Sequence, residues 1–340
     1  MSESKYEQSG VSIDRGNEAV ERIKGMVRKM GVKEIGKFGG FFPLKEGMNH
    51  PILVSSADGV GTKLKVAFMS GVHDTVGRDL VNHCVNDILV YGARPLFFLD
   101  YIAMGKLEPG VVEKLVSGIL NGCVDNGFVL LGGETAEMPG FYQDGEYDVA
   151  GFIVGLVEKE KVVDGAAIVP GDLMIGLPSL GLHTNGYSLA RHIVFEKLGL
   201  KHSDRVEELG TTAGEALLAP HRSYLAAVTP LLERGLIKGM AHITGGGLLE
   251  NVPRVLPESV AVTVEKTWQI PPLFAWLCRE GGVDEREAFR VFNMGIGMVL
   301  FIARENLSAV DEILRGLGEV NYLIGQAVEA GAGDRVSIRM

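Results

Sequence analysis

Three acids stand where one element of this chain gives way to the next. Asp58 opens the run DGVGTK (58–63), one residue after PILVSS. Asp87 lies in the pair Asn86-Asp87, and Glu134 follows FVLLGG in Gly132-Gly133-Glu134-Thr135. Asp79, His83 and Asp87 recur at i, i+4 and i+8, one face of a helix. These acids either form a solvated polar face with two loop carboxylates, or they converge. Two carboxylates about 4 Å apart repel by roughly 4 kcal/mol at an effective dielectric near 20. A convergent trio therefore needs a proton or a cation. Oxygen ligands with no Cys or His cluster suit Mg²⁺, which carboxylates commonly share with substrate phosphates. Asp58, Asp87 and Glu134 are then metal ligands, and Thr62 and Lys63 are left for phosphate oxygens.

DGVGTK is not a P-loop: no GxxxxGK[ST] occurs, and no GxGxxG follows a strand. Two further loops are rich in backbone donors. GLHTNGYSLAR (181–191) joins a loop to a helix that Thr184 or Asn185 can cap, and such an N-terminus attracts anions. The dipole contributes only about 0.3–1 kcal/mol, so a phosphate there also wants a cation, from His183 or Arg191. An ordinary cap is the plainer reading. HITGGGLLENVPRVL (242–256) sets three glycines before a helix, more than a turn needs, which favours close approach of backbone to a ligand. Trp268 and Trp276 read as packing.

The elements that position these groups alternate between strand and helix. The spacing predicts a helix over 17–31, a buried strand over 51–56 and a helix over 75–91 with Val76, Leu80, Cys84 and Ile88 as its apolar stripe. LFFLDYIAM, FVLLGG and YDVAGFIVGLVEK read as strands, and VVEKLVSGILNGCVDNG as a helix closed by Gly127. Pro170-Gly171-Asp172 marks a turn into a second block of helices and strands. The expectation is two mixed α/β domains, 1–165 and 166–340.

Length and charge bound the function. The chain has 340 residues, 46% of them hydrophobic, enough for two ordinary domains. A formal net charge of −10 disfavours wholesale binding of nucleic acid or anionic membrane, but not of an anionic small molecule in a local pocket. Cys84, Cys123 and Cys278 are far apart, which argues against a zinc site or disulfide framework. The polar start MSESKYEQSG and the absence of a long apolar run lead to the expectation of a soluble, cytoplasmic protein.

Taken together, ADGVGTKLKVA, VNDILVYGARPLFFLDYIAMGKL, LLGGETAEMPGFY, YDVAGFIVG, LHTNGYSLAR, HITGGGLLENVPRVLP and FNMGIGM, with YEQSGVSIDRGN near the start, resemble the phosphoribosylformylglycinamidine cyclo-ligases. The match runs in order along essentially the whole chain. It implies ATP-dependent closure of formylglycinamidine ribonucleotide to aminoimidazole ribonucleotide, with release of ADP and phosphate. It also implies a homodimer whose N-terminal domains pair into a barrel.

By motif, Asp58, Asp87 and Glu134 would hold Mg²⁺ with ATP. Lys24, Gly39, Gly40, Gly59, Gly61, Thr62, Lys63, Asn86, Gly133 and Thr135 would surround the nucleotide. His183, Thr184, Asn185, Gly186, Ser188 and the loop Thr244, Gly245, Gly246 and Gly247 would face the substrate. Asp87, Lys63 and His183 would carry the chemistry, His183 as a candidate base. Selenophosphate synthetases share the superfamily but usually carry a reactive Cys or selenocysteine in the N-terminal loop, and no Cys precedes Cys84 here.

Overall fold

The computed structural model describes residues 13–29, 40–44 and 47–339; Gly39 and the N-terminal arm lie outside them. The first half contains α1 (Ile13–Lys29), β1 (Pro51–Gly59), α2 (Asp74–Leu89), β2 (Arg94–Met104), α3 (Pro109–Asp125), β3 (Val129–Glu137) and β4 (Tyr147–Glu158). Its strands form one sheet in the order β1-β4-β2-β3. β2 and β3 run parallel, while β4 is antiparallel to both β1 and β2. α2 and α3 pack together on one face of this sheet. Their backbones meet so closely that a Cβ at Gly118 would lie 1.9 Å from the Asp74 carbonyl oxygen. Pro109 occupies the first turn of α3, where no N–H is required.

The other face of the sheet carries no layer among the described residues. Leu53, Phe152 and Tyr101 are exposed on it, beside Phe97 and Leu99, and Phe42 covers Phe97 at a ring distance of 5.4 Å. This corrects the expectation of a buried strand at 51–56. β1 is an edge strand, and Ile52 and Leu53 are exposed although apolar.

The second half contains β5 (Leu173–Pro178), α4 (Tyr187–Arg191), α5 (Leu225–Glu233), β6 (Ile237–His242), α6 (Gly247–Asn251), β7 (Val260–Glu265), α7 (Pro272–Gly281), β8 (Ile296–Ile302), α8 (Leu307–Gly316), β9 (Tyr322–Glu329) and β10 (Val336–Arg339). Six strands form a sheet in the order β10-β7-β9-β5-β8-β6. β8 is buried at every position, as a strand covered on both faces should be. Trp268 and Trp276 are buried, and the Trp268 indole donates to the Met294 carbonyl oxygen, so both serve packing. Among the described residues no helix is long and apolar enough to cross a membrane.

The two halves meet along the polar face of α2. Asp79, Asn82, His83 and Asn86 are all buried. The face is therefore not solvated, and the second half supplies its partners.

Candidate active site

Asp58 is the penultimate residue of β1 and Asp87 lies two residues before the end of α2, so sheet and helix bring two of the three acids together. The His83 imidazole lies between them, with Nε2 2.9 Å from Asp58 Oδ2 and 3.7 Å from Asp87 Oδ2. His242, at the end of β6, places Nδ1 2.8 Å from Asp87 Oδ1, and Ser56 donates to Asp87 Oδ2 at 2.9 Å. Burial pushes both carboxyls up. The His83 hydrogen bond and charge outweigh burial at Asp58, and the His242 hydrogen bond with the His83 charge does so at Asp87, so both lie below the usual carboxylate range. Burial lowers His83, but its contacts with Asp58 and Asp87 raise it above the ordinary histidine value. His242 is held below that value, by burial first.

Glu134 does not join them. Asp58 pairs with Gly151 of β4, Gly151 with Asp100 of β2, and Asp100 with Gly133 of β3. Three strand spacings separate the ends of that row, about 14 Å. Glu134, one residue further on, points to the other face of the sheet and is exposed. The expected trio is thus a pair plus a distant acid within one chain. Glu134 instead lines a cavity of about 500 Å³ with Gly133, Thr135 and Lys24. The Lys24 ammonium is bonded to Glu21 at 2.7 Å. Gly40 lies against Leu131 of β3.

Lys63 also departs from its expected place. Its ammonium is buried on the Asp79 carboxylate at 2.6 Å and donates to the carbonyl oxygens of His183 and Ala219 at 3.1 and 2.7 Å. With these three partners it is a clamp between the halves rather than a free phosphate contact. Burial pushes the Lys63 ammonium down and the Asp79 carboxyl up, and each is the main compensation for the other. Asn86 is committed to structure as well: it accepts from the Tyr224 amide at 3.0 Å and donates to the Arg222 carbonyl oxygen at 2.8 Å. Thr62 stays at the surface after Gly59 and Gly61, its Oγ1 3.3 Å from Ser188 Oγ.

That contact opens a second cavity, about 570 Å³, between the halves. Thr184, Asn185, Gly186 and Ser188 form one wall, Gly245 and Gly246 another, and Thr62 closes it from the first half. Neither Thr184 nor Asn185 caps α4; Gly186 does, at φ 77° and without a side-chain bond. Thr184 Oγ1 lies instead 2.7 Å from His83 Nδ1 and 3.3 Å from His221 Nδ1. Asn251 ties down the glycine loop, donating to the carbonyl oxygens of Thr244, Gly245 and Gly247. Thr244 faces a third space, about 350 Å³, with Asp87, His242 and Arg254.

His183 is the other correction. Its ring is fully buried, stacked on His221 at 4.1 Å, and its Nε2 accepts the Leu180 amide at 3.3 Å. Burial holds it well below the ordinary histidine value. It lines none of the three cavities, so nothing in this arrangement presents it to a substrate as a base. Sequence reading gave no role to His221, His242 or Asp100. His242 begins the singled-out run HITGGG, which is a usable signal; His221, in APHRSY, has none.

Two α/β halves that close polar cavities between a paired-acid sheet and glycine loops define a class. The chain matches the AIR synthase related protein N-terminal domain over residues 47–157 and its C-terminal domain over 169–337. Within that class, it belongs to the phosphoribosylformylglycinamidine cyclo-ligase family. It is 49% identical over 341 residues to the cyclo-ligase of Citrifermentans bemidjiense, covering 98% of each chain. With that of Trichlorobacter lovleyi the identity is 51%, over 94% of each. The fold is shared with thiamine-monophosphate kinase from Stenotrophomonas maltophilia (TM-score 0.67, 17% identity, 94% and 95% covered). It is shared as well with hydrogenase maturation protein HypE in complex with ATP (TM-score 0.67, 18% identity, 92% and 88% covered).

Proposed function

We propose that the chain closes the imidazole ring of aminoimidazole ribonucleotide by phosphorylating the formamide oxygen of formylglycinamidine ribonucleotide with ATP. An amidine nitrogen of the same molecule attacks the activated carbon, and the oxygen leaves as phosphate. Oxide is too poor a leaving group without this step. Because the nucleophile is intramolecular, the protein mainly has to position the groups and neutralise charge at the transferred phosphoryl group.

One observation supports this reading most: Thr62, four residues after Asp58, meets Ser188 at the mouth of a cleft whose walls are the Thr184–Ser188 segment and the glycine loop. The substrate ribonucleotide would lie against Thr184–Ser188 and Gly245–Gly246. Asp58 and Asp87 are two carboxylates converging on one imidazole nitrogen, a donor set that fits Mg²⁺ arriving with ATP. Mg²⁺ bound there would neutralise phosphate charge; the chain's own part is to hold the two carboxylates ionised, through His83 and His242. Glu134 does not fit the same ion within one chain. The bare apolar face of the first sheet supports a homodimer in which that face is covered. Glu134 then acts on the nucleotide from its own side of the interface. We place the protein in the cytoplasm with the other enzymes of purine synthesis.

The test is a coupled assay of ADP and phosphate release. Release should require formylglycinamidine ribonucleotide and match formation of the aminoimidazole product one to one. Equal turnover with an unrelated acceptor overturns the substrate assignment.

A further inference from the structure

The 500 Å³ cavity beside α1 holds a carboxyl that the reaction above does not use. Asp100 lies on β2, more than nine-tenths buried, and faces the cavity. Lys24 and Glu134 line the same cavity and the Cys123 thiol of α3 lies close enough to feel its charge, but among the described residues no cation and no side-chain donor is bonded to it; its own backbone N–H is the only group that favours its charge. Its carboxyl leans over β3, so that a Cβ at Gly133 would lie 2.2 Å from Asp100 Oδ1. Gly132 and Gly133 therefore leave a stretch of bare backbone beside the carboxyl. Val20, Ile23, Val116 and Leu130 supply apolar walls. The volume falls within the roughly 300–1,000 Å³ typical of small-molecule sites.

An apolar slot beside bare glycine backbone suits a flat heterocycle. A single carboxyl at its edge sets the hydrogen-bond pattern. A neutral carboxylic acid offers one donor and one acceptor side by side, as an Asn does when it pairs with adenine. A carboxylate offers acceptors only, which suits the N1–H and N2–H of guanine and repels the N1 lone pair of adenine.

We propose that Asp100 is the base-reading residue of the nucleotide site, its hydroxyl donating to adenine N1 and its carbonyl oxygen accepting from the adenine 6-amino group. This rests on the reading that the chain uses ATP. Burial supports the required protonation state, since it pushes the Asp100 carboxyl up to about 7. The neutral form is then half populated at neutral pH and scarce above pH 8. If only that form binds ATP, affinity falls about fivefold from pH 7 to pH 8 and about tenfold for each further unit.

The experiment measures Kd for ATP, 1-deaza-ATP and purine riboside triphosphate, in the full-length protein with saturating magnesium. The wild type should bind each analogue about tenfold more weakly than ATP, because each lacks one of the two hydrogen bonds. Asp100→Leu should bind all three alike. Gly133→Ala, whose Cβ displaces the carboxyl, should also lose the discrimination. Asp100→Asn should keep the preference and lose the pH dependence, so its Kd for ATP relative to wild type improves about fivefold between pH 7 and 8. Undiminished discrimination in a folded Asp100→Leu variant overturns the assignment, as does a wild-type Kd that tracks Asp100→Asn across pH. Failure of the wild type to bind ATP at all would instead refute the nucleotide reading beneath it.

Discussion

Replacing Lys63 by Met separates two accounts of that residue. As a phosphate contact, Lys63 would be needed for turnover and dispensable for folding. The structure makes it half of a buried ion pair that also holds two carbonyl oxygens of the second half. Removing one partner of such a pair costs roughly 3–5 kcal/mol, because the other charge is left buried and unpaired. An independent route gives a similar figure. Asp79 can escape by taking a proton, and protonating a carboxyl of ordinary pKa near 3.9 at pH 7.5 costs about 5 kcal/mol. The melting temperature should fall by on the order of 10 °C. The loss should also acquire a direction in pH. In the variant, Asp79 loses the ammonium that mainly opposed burial, and with only the His221 amide and the His83 charge left to favour its ionised form its folded pKa stays raised. Its contribution is most favourable below about pH 4 and is lost as pH rises toward the folded value, so the deficit relative to wild type should grow from pH 5 to pH 8. The double variant Lys63→Met/Asp79→Asn removes the stranded charge and keeps the acceptor for the His221 amide, now 2.6 Å from Asp79 Oδ1. It should recover at least half the loss. Calorimetry across pH, with turnover measured well below the melting point, decides the matter. A Lys63→Met protein that melts like wild type at every pH and has lost turnover would refute the clamp and restore the phosphate role.

Asp87→Asn should lower turnover on the order of a hundredfold or more with little change in melting temperature, in the assay of ADP release; wild-type-like turnover would sink the metal assignment. His83→Gln should destabilise more at pH 6 than at pH 9, since a raised histidine pKa contributes fully below about 6.5 and is lost as pH climbs through the folded value. A pH-independent difference, read from denaturant midpoints, would count against the Asp58–His83–Asp87 arrangement. Phe152→Lys places a charge on the bare sheet face and should shift the protein from dimer to monomer in analytical ultracentrifugation; an unchanged mass would mean that another surface joins the copies.

The strand–helix alternation was legible because period and punctuation agree: α2 carries its apolar stripe at i+4 spacing, and Gly127 closes the turn after α3 with φ 74°. β6 and β10 were not foreseen. The run IKGMAH has no alternation, since it is buried almost throughout, and VSIR is too short to give a pattern. At the site, the nearness of Asp58 and Asp87 follows from local structure, one near the end of a strand and the other lying on the helix that packs over it. The fate of Lys63 does not. A lysine two residues after a glycine looks exposed until a second half, over a hundred residues later, supplies the carbonyl oxygens that bury it. His183 fails for the same reason: its motif is local, but its burial is set by His221 and Arg222. Long-range partners decide exposure, and exposure decides whether a motif residue meets a ligand.

Glu134 shows how far that logic reaches. Register fixes it three strands from Asp58 and on the opposite face, so no side-chain rotation can bring the two to one ion. Either Glu134 serves a different part of the nucleotide, or the second copy brings it to the acids of its partner. These alternatives differ in stoichiometry. Mixed dimers of Asp87→Asn with Glu134→Gln contain one intact site if the two acids act from different chains, and none if they act within one. Refolding equal amounts of the two inactive homodimers should therefore restore up to about a quarter of wild-type turnover in the shared-site case, from half the molecules carrying one good site of two. No recovery in mixtures shown by mass to contain heterodimer would confine the nucleotide to a single chain. It would leave the bare sheet face as a stabilising contact with no part in the chemistry.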